Sequence, residues 1–326
     1  MVTLDTQDKA IITDAPALPA CAICFDIGGS TVKTALAHGG GADPVTGLTP
    51  LGRQPTPLND LGDFAAVIEK QVELHAPDPA LPISISITGV IDPETGILTC
   101  ANIPCVDGIA LADRLAERLG RPVQVNNDAA CFTIAEARRG AGRGYPIVFG
   151  AILGTGVGGG LVINGRLVQG AGGFAGEWGH GPIAATLAGD PPVDIPRFAC
   201  GCGQKGCVDT IGGARGLERL HSHLHGVTLT SREIIDRWNA ADQSAARTVE
   251  VFVDLVSAPL ATVVNIVGAH IVPVGGGLAR AENLIERLDE EVRKKTLYRF
   301  DRPLIVRGDC QVEPGLVGAA LIATGN

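Results

Sequence analysis

One histidine and three cysteines lie in this chain at spacings that suit a metal. Gly176-Glu177-Trp178-Gly179-His180 is followed by Cys200-Gly201-Cys202-Gly203-Gln204-Lys205-Gly206-Cys207. Three thiolates at C-x-C-x4-C spacing and one imidazole make four soft ligands. That number fills a closed tetrahedral zinc site, whereas a catalytic zinc keeps one position for water. The set His180, Cys200, Cys202 and Cys207 therefore reads as structural Zn2+. The alternatives are four reduced residues in a glycine-rich loop, or a disulfide. His221, His223 and His225 offer a second metal tract, but they read better as a solvated helix end. Glu177, three residues before His180, is a carboxylate placed for ligand binding or chemistry.

A second candidate is Asn127-Asp128, where the apolar run "PVQVNND" meets the helical pattern "DAACFTIAEARRG". Aspartate at such a junction commonly caps the helix. It can equally serve as a base, which the helix N-terminus would keep ionised.

Glycine turns form the third group. Gly28-Gly29-Ser30-Thr31 and Gly154-Thr155-Gly156-Val157-Gly158-Gly159 each separate two apolar, β-branched runs. The second matches G-x-G-x-x-G, yet a dinucleotide fold needs a helix after the glycines. Here the chain continues as "LVINGRLV", which is strand-like. The triphosphate-loop pattern G-x-x-x-x-G-K-[ST] is absent. Two glycine hairpins can instead hold a triphosphate from two sides, because successive backbone N–H groups form anion-binding nests. Ser30, Thr31 and Thr155 add hydroxyl donors, and Asp26 can hold Mg2+ through water. Ordinary tight hairpins remain the alternative. A third cluster, Gly275-Gly276-Gly277, joins a strand to a helix.

The elements that must position these residues are legible as a pattern. Strands are expected at 22–27, 32–37, 83–90, within 122–128, three times across 147–170 (before and after the glycine-rich turn and after Asn164-Gly165), at 271–274 and within 303–308. Helices are expected at 61–74, 109–120, 128–139, across most of 214–268, at 278–297 and at the C-terminus. This alternation argues an α/β fold. The strand–glycine–strand units at 22–37 and 147–163 form a weak internal duplication. Residues 1–20 lack periodicity and read as a mobile leader.

Composition bounds the rest. The 326 residues are 45% hydrophobic but only 4% aromatic, so aliphatic side chains must fill the core. A net charge of −9 is a poor fit to nucleic acid or a membrane surface. No apolar run reads as long enough to span a bilayer. Nine cysteines, an odd number, several of them in apolar segments, suit a reducing, cytoplasmic setting.

Together "FDIGGSTVKTAL", "LGTGVGGGLVINGRL", "GEWGH" and "CGCGQKGCVD" resemble the ROK family, the sugar kinases and related repressors of the actin/hexokinase-like ATPase superfamily. The resemblance runs from about residue 22 to the C-terminus. It implies two actin-like (ribonuclease H-like) α/β domains flanking an active-site cleft. The small one would span 21–127 plus 310–326; the large one would span 128–309 and carry the zinc loop. ATP and Mg2+ would be held by Asp26, Gly28, Gly29, Ser30, Thr31, Lys33, Gly154, Thr155, Gly156, Gly276 and Gly277. The sugar would meet Asn102, Asn127, Glu177, His180 and Asp209, with Asp128 as catalytic base.

The "FGAILGTGVGGGLVINGRLV" and "CGCGQKGC" blocks are most similar to bacterial N-acetylglucosamine kinases. Phosphorylation of the 6-hydroxyl of that sugar is the expected activity, and a homodimer the expected assembly. N-acetylmannosamine, glucose and fructose are the rival substrates. A non-catalytic sugar-sensing regulator is the rival class. Such regulators resemble this chain only after a DNA-binding module, for which the roughly twenty residues before the first strand are too few. The chain departs from the family pattern at Thr88 (usually Pro), Val106 (usually Trp), Asn126 (usually Glu) and Asp209 (usually Glu). All four departures lie on the acceptor side.

Overall fold

The structure is a computed structural model that describes residues 18–40, 43–310 and 313–324. Most of the proposed leader, residues 1–17, lies outside the described residues, and Ala20 already begins the first strand.

Two five-stranded sheets carry the fold. In the first, β1 (Ala20–Ile27), β2 (Thr31–Gly40) and β3 (Asp43–Pro55) form an antiparallel meander. β4 (Ile83–Ile87) and β5 (Val123–Asn127) then add in parallel on the other side of β1. In the second, β6 (Ile147–Leu153), β7 (Val157–Ile163) and β8 (Arg166–Val168) repeat the meander. β9 (Val272–Gly275) and β10 (Ile305–Arg307) add in parallel beside β6. The orders, β3-β2-β1-β4-β5 and β8-β7-β6-β9-β10, are the same. The duplication visible in two glycine hairpins therefore extends to both sheets.

Strand alternation sorts residues by size as well as polarity. Ile23, Phe25 and Ile27 of β1 face one core, with Phe64, Ile68 and Val72 of α1 (Leu61–His75) and Leu111 and Leu115 of α2 (Leu111–Leu119). Ala22 and Cys24, paired across the ladder with Ala37 and Ala35, face a different layer. These small side chains let α9 (Pro314–Ala323) pack close to the sheet. α9 also meets α3 (Asp128–Arg139), where a side chain at Gly318 would collide with the Cys131 backbone.

The second sheet is covered by helices from the segment expected to be helical. α4 (Asp209–Gly212), α5 (Ala214–His225), α6 (Ser231–Asn239), α7 (Gln243–Val267) and α8 (Glu282–Lys295) follow one another. α7 corrects one expectation. Its 25 residues include a stretch of mean hydropathy 1.7, long and apolar enough to cross a membrane. In this fold it is a core helix, packed against α4, α5, α6 and α8. The histidine tract also differs from expectation. His221 is buried, and Thr248 Oγ1 lies 2.8 Å from His221 Nδ1 and 3.2 Å from His225 Nε2. These histidines tie α5 to α7 rather than facing solvent. His221 and His225, one turn apart, sit on the inner face of α5, whereas His223 is exposed as expected.

Loop 173–209 holds one two-stranded ladder, Leu187–Ala188 with Val193–Asp194. Near the cleft, Val90–Ile91, Ile97–Thr99 and Ile109–Ala110 form a small separate sheet. The strand expected over 83–90 is therefore broken after Ile87, and the helix expected from 109 starts at Leu111.

Candidate active site

The first glycine turn is closed by the Gly28 N–H donating to Thr31 O at 3.0 Å. Thr56 braces it from β3's end, its hydroxyl donating to Gly28 O at 2.7 Å. Gly28 is exposed, and a side chain there would meet nothing, so its glycine leaves room for a ligand. At the base of the turn, Asp26 accepts from Ser86 Oγ at 3.0 Å and from Lys33 Nζ at 2.9 Å. Lys33 also pairs with Glu313 at 2.6 Å, and Glu313 with Arg53 at 2.6 Å. Asp26 and Glu313 together raise the Lys33 pKa against the opposing cost of its burial, so it stays charged. Gly315 is required here, since a side chain would run into the Asp26 carboxylate.

The second turn joins β6 to β7, as expected of a hairpin and not of a dinucleotide fold. Its tip is tied to the following layer. The Ala214 N–H donates to Gly154 O at 2.8 Å, and the Val157 N–H donates to Asp209 Oδ1 at 2.8 Å. Thr155 is exposed. The third cluster lies against the second. Gly276 has φ of 88°, and a Cβ there would come within 2.5 Å of Leu153 O. Only glycine permits both. Gly276 and Gly277 are exposed beside the turn, so the second and third clusters share one rim.

The later glycines of the G-x-G-x-x-G run have a different cause. A Cβ at Gly159 would lie 2.7 Å from Gly176 O and 2.8 Å from Trp178 Cδ1. Trp178 Nε1 donates to Gly158 O at 2.8 Å. These glycines seat the Gly176–His180 segment on β7, where Glu177 lines a small cavity with Asn126 and Asn127.

Asp128 is the first residue of α3, at the end of β5. The helix N-cap is its neighbour: Asn127 Oδ1 accepts from the Ala130 N–H at 2.9 Å, and Asn127 Nδ2 donates to Gly89 O at 2.6 Å. Asp128 is thereby free of the capping role that its type alone would suggest. It accepts from the Ala129 N–H at 2.8 Å. Burial, then the negative charges of Asp26 and Glu177, push its pKa up to about 7. The expectation that the helix N-terminus keeps it well ionised is corrected: desolvation outweighs the dipole. The coupling also shows that residues of both sheets converge, Asp26 from the first and Glu177 from the loop after the second.

His180 stands between two groups. Its Nδ1 is 3.6 Å from Cys200 Sγ, and its Nε2 is 4.0 Å from Glu177 Oε2. Cys202 and Cys207 sulfurs are 3.6 Å apart, and the four ligand atoms all lie within 4.8 Å of one another. Bond lengths of about 2.0–2.3 Å put tetrahedral ligand atoms about 3.5–3.8 Å apart. The cluster is thus slightly open but of the right size for one tetrahedral ion. Its sulfurs form no disulfide. Asp209 Oδ2, 3.8 Å from Cys200 Sγ, links this cluster to the second glycine turn.

Comparison with known proteins bears on this arrangement directly. The family model described as the ROK family matches residues 22–326. The chain belongs to the ROK family. An N-acetyl-D-glucosamine kinase of Pectobacterium atrosepticum is 35% identical over 302 residues, 91% of this chain and 97% of that protein. An N-acetylgalactosamine kinase of a Shewanella species is 32% identical, covering 92% and 96%. Among solved structures, the ROK hexokinase of Thermus thermophilus superposes with a TM-score of 0.76 at 29% identity, covering 92% and 96%. The fold is accordingly the actin-like ATPase fold, with its two sheets of matching order.

Two further motif residues of this ROK chain, Asn102 and Asp209, are each tied to a glycine turn or its neighbours. Asn102 lies beside the first turn, its backbone oxygen 3.2 Å from where a Gly29 side chain would begin, and its Nδ2 donates to Thr88 Oγ1 at 3.3 Å. Thr88 therefore occupies the family's proline position with a hydroxyl that holds Asn102. Asp209 is engaged by Val157, an engagement its shorter side chain reaches from the start of α4. Sequence reasoning missed Ser86, Thr56, Arg53 and Glu313. Ser86 had a signal: Ser84 and Ser86 alternate with isoleucines in a fully buried strand, where a hydroxyl needs a partner. Glu313 had none, being 280 residues from Lys33.

Proposed function

We propose that this chain is an ATP-dependent sugar kinase that phosphorylates the 6-hydroxyl of N-acetylglucosamine. The observation that carries the reading is Asp128. It is a partly buried carboxylate at the start of α3, its pKa pushed up to about 7 by desolvation and by the charges of Asp26 and Glu177. Phosphoryl transfer asks the protein mainly to position groups and to neutralise charge. The open tips at Gly28–Thr31, Gly154–Gly156 and Gly276–Gly277 hold the triphosphate and adenosine. Asp128 orients the sugar hydroxyl and accepts its proton as the new oxygen–phosphorus bond forms and ADP leaves. Asp26 would hold Mg2+, which offsets the charge on the phosphates. Lys33, kept charged by Asp26 and Glu313, faces the same turn.

Glu177 and His180 Nε2 contact the sugar in this account, with Asn102, Asn127 and Asp209 around them. His180 and the sulfurs of Cys200, Cys202 and Cys207 would hold Zn2+, which would order the loop that presents them. This reading divides the chain into a small domain, 21–127 plus 310–326, and a large one, 128–309, each built around one sheet. Nine free thiols suit a reducing compartment.

The relatives' names support N-acetylhexosamines as the substrate class. A coupled ADP-release assay across N-acetylglucosamine, N-acetylgalactosamine, N-acetylmannosamine, glucose and fructose tests this. The highest kcat/KM is expected for N-acetylglucosamine. Tight sugar binding without turnover of any of the five would support the regulator instead.

A further inference from the structure

Asn126 is the residue that the family pattern leaves unexplained, and it carries an unmet hydrogen bond. Its Nδ2 is buried and has no partner among the described residues. The backbone of Asn126 is spoken for, since β5 pairs there with Ser86 of β4. The side-chain amide is not. A buried amide donor without an acceptor costs about 1–3 kcal/mol, so such groups usually have a partner, water or ligand.

Asn126 lines a small cavity of about 60 Å3. About 10–15 Å3 on the same measure admits one water, so this cavity admits a group of several heavy atoms. Its walls combine Asn126, Asn127 and Glu177 with the apolar side chains of Val125, Ala130 and Ala175. Asn127 and Glu177 place the cavity against the sugar subsite, one residue from Asp128. An amide donor at one side and methyl-sized apolar surface at another describe the complement of an acetyl group. A carbonyl oxygen accepts from Nδ2, and a methyl covers Val125 and Ala130. An anionic ligand fits poorly, because the Glu177 carboxylate shares the wall.

We infer that this cavity receives the 2-acetamido group of the sugar, with Asn126 Nδ2 donating to its carbonyl oxygen, so that Asn126 sets selectivity for N-acetylhexosamines over hexoses. The inference rests on the kinase reading above and adds to it the part of the substrate that the chain selects. A site built to donate a hydrogen bond discriminates against ligands lacking the acceptor more strongly than apolar contact alone does.

The test compares kcat/KM for N-acetylglucosamine and glucose in the wild type and in Asn126→Asp, which replaces the donor by an acceptor of the same shape. The ratio is expected to fall about tenfold or more through KM for N-acetylglucosamine, while glucose changes less than about threefold. An unchanged ratio, or an equal loss for both sugars, overturns the assignment. Should the variant fold poorly, the wild type tests the cavity by itself. N-butanoylglucosamine is expected to be at least about tenfold less efficient than N-acetylglucosamine, and equal efficiency overturns the assignment. Wild-type turnover of glucose alone would defeat the kinase's substrate reading together with this inference. Turnover of N-acetylglucosamine with an unaltered ratio would defeat only this inference.

Discussion

A carboxylate that must take a proton late in a transfer works best when its pKa lies near the operating pH. Asp128 reaches about 7 by burial beside two other carboxylates. Protonation removes the base, so kcat/KM should climb about tenfold per pH unit below 7 and level off above it. A pH–rate profile flat from 5.5 to 8 would contradict this role. Asp128→Asn should lower kcat by about 10²–10⁴-fold, with sugar binding retained in calorimetry. In the cysteine cluster the sulfurs differ. Burial pushes Cys200 up to about 12, while the Gln204 backbone N–H draws Cys202 down to about 7. Metal analysis of the purified protein should find about one Zn2+ per chain. Chelation or Cys202→Ser should raise the sugar KM, because Glu177 and His180 lose the loop that seats them. Full activity in zinc-free protein would rule this out.

Elements show why three glycine clusters differ in meaning. Gly28 and Gly277 face open space, whereas Gly159 and Gly276 lie against backbone. Gly276→Ala would force a left-handed φ on an L-residue and press its methyl on Leu153. A loss of about 1–3 kcal/mol in urea unfolding and a raised KM for ATP are expected, with the sugar KM unmoved. The strand–turn–strand units were legible because each is local: apolar runs, glycines and Asn164-Gly165 with φ of 49° and 72° fix the hairpins. The same holds for the ligand set at His180 and the cysteines. What stayed hidden depends on distant partners. Glu313 could not be read beside Lys33, nor the inner face of His221 beside Thr248, because neither pairing leaves a periodic trace. Asn127 as cap in place of Asp128 was hidden by a shift of one residue.

At the scale of the molecule, two sheets of one design are joined by the chain twice, at Asn127–Asp128 and again between β10 and α9. The second crossing is fastened by Glu136 of α3. This fully buried carboxylate accepts from the Ala141 N–H at 2.8 Å, Asp309 N–H at 3.1 Å and Cys310 N–H at 2.8 Å. Three donors hold its charge against the desolvation that raises its pKa. Glu136→Leu would leave those donors without an acceptor, at about 1–3 kcal/mol each. A loss of at least about 3 kcal/mol in urea unfolding is expected, and a change below about 1 kcal/mol would show that the chain repairs the gap.

α3 thus receives one crossing at its first residue and grips the other near its end. A helix fixed at both crossings cannot shift against one sheet without disturbing the other. Asp128 is its first residue. Its carboxylate is thereby referred to both halves at once, because the element that carries it is bonded to each.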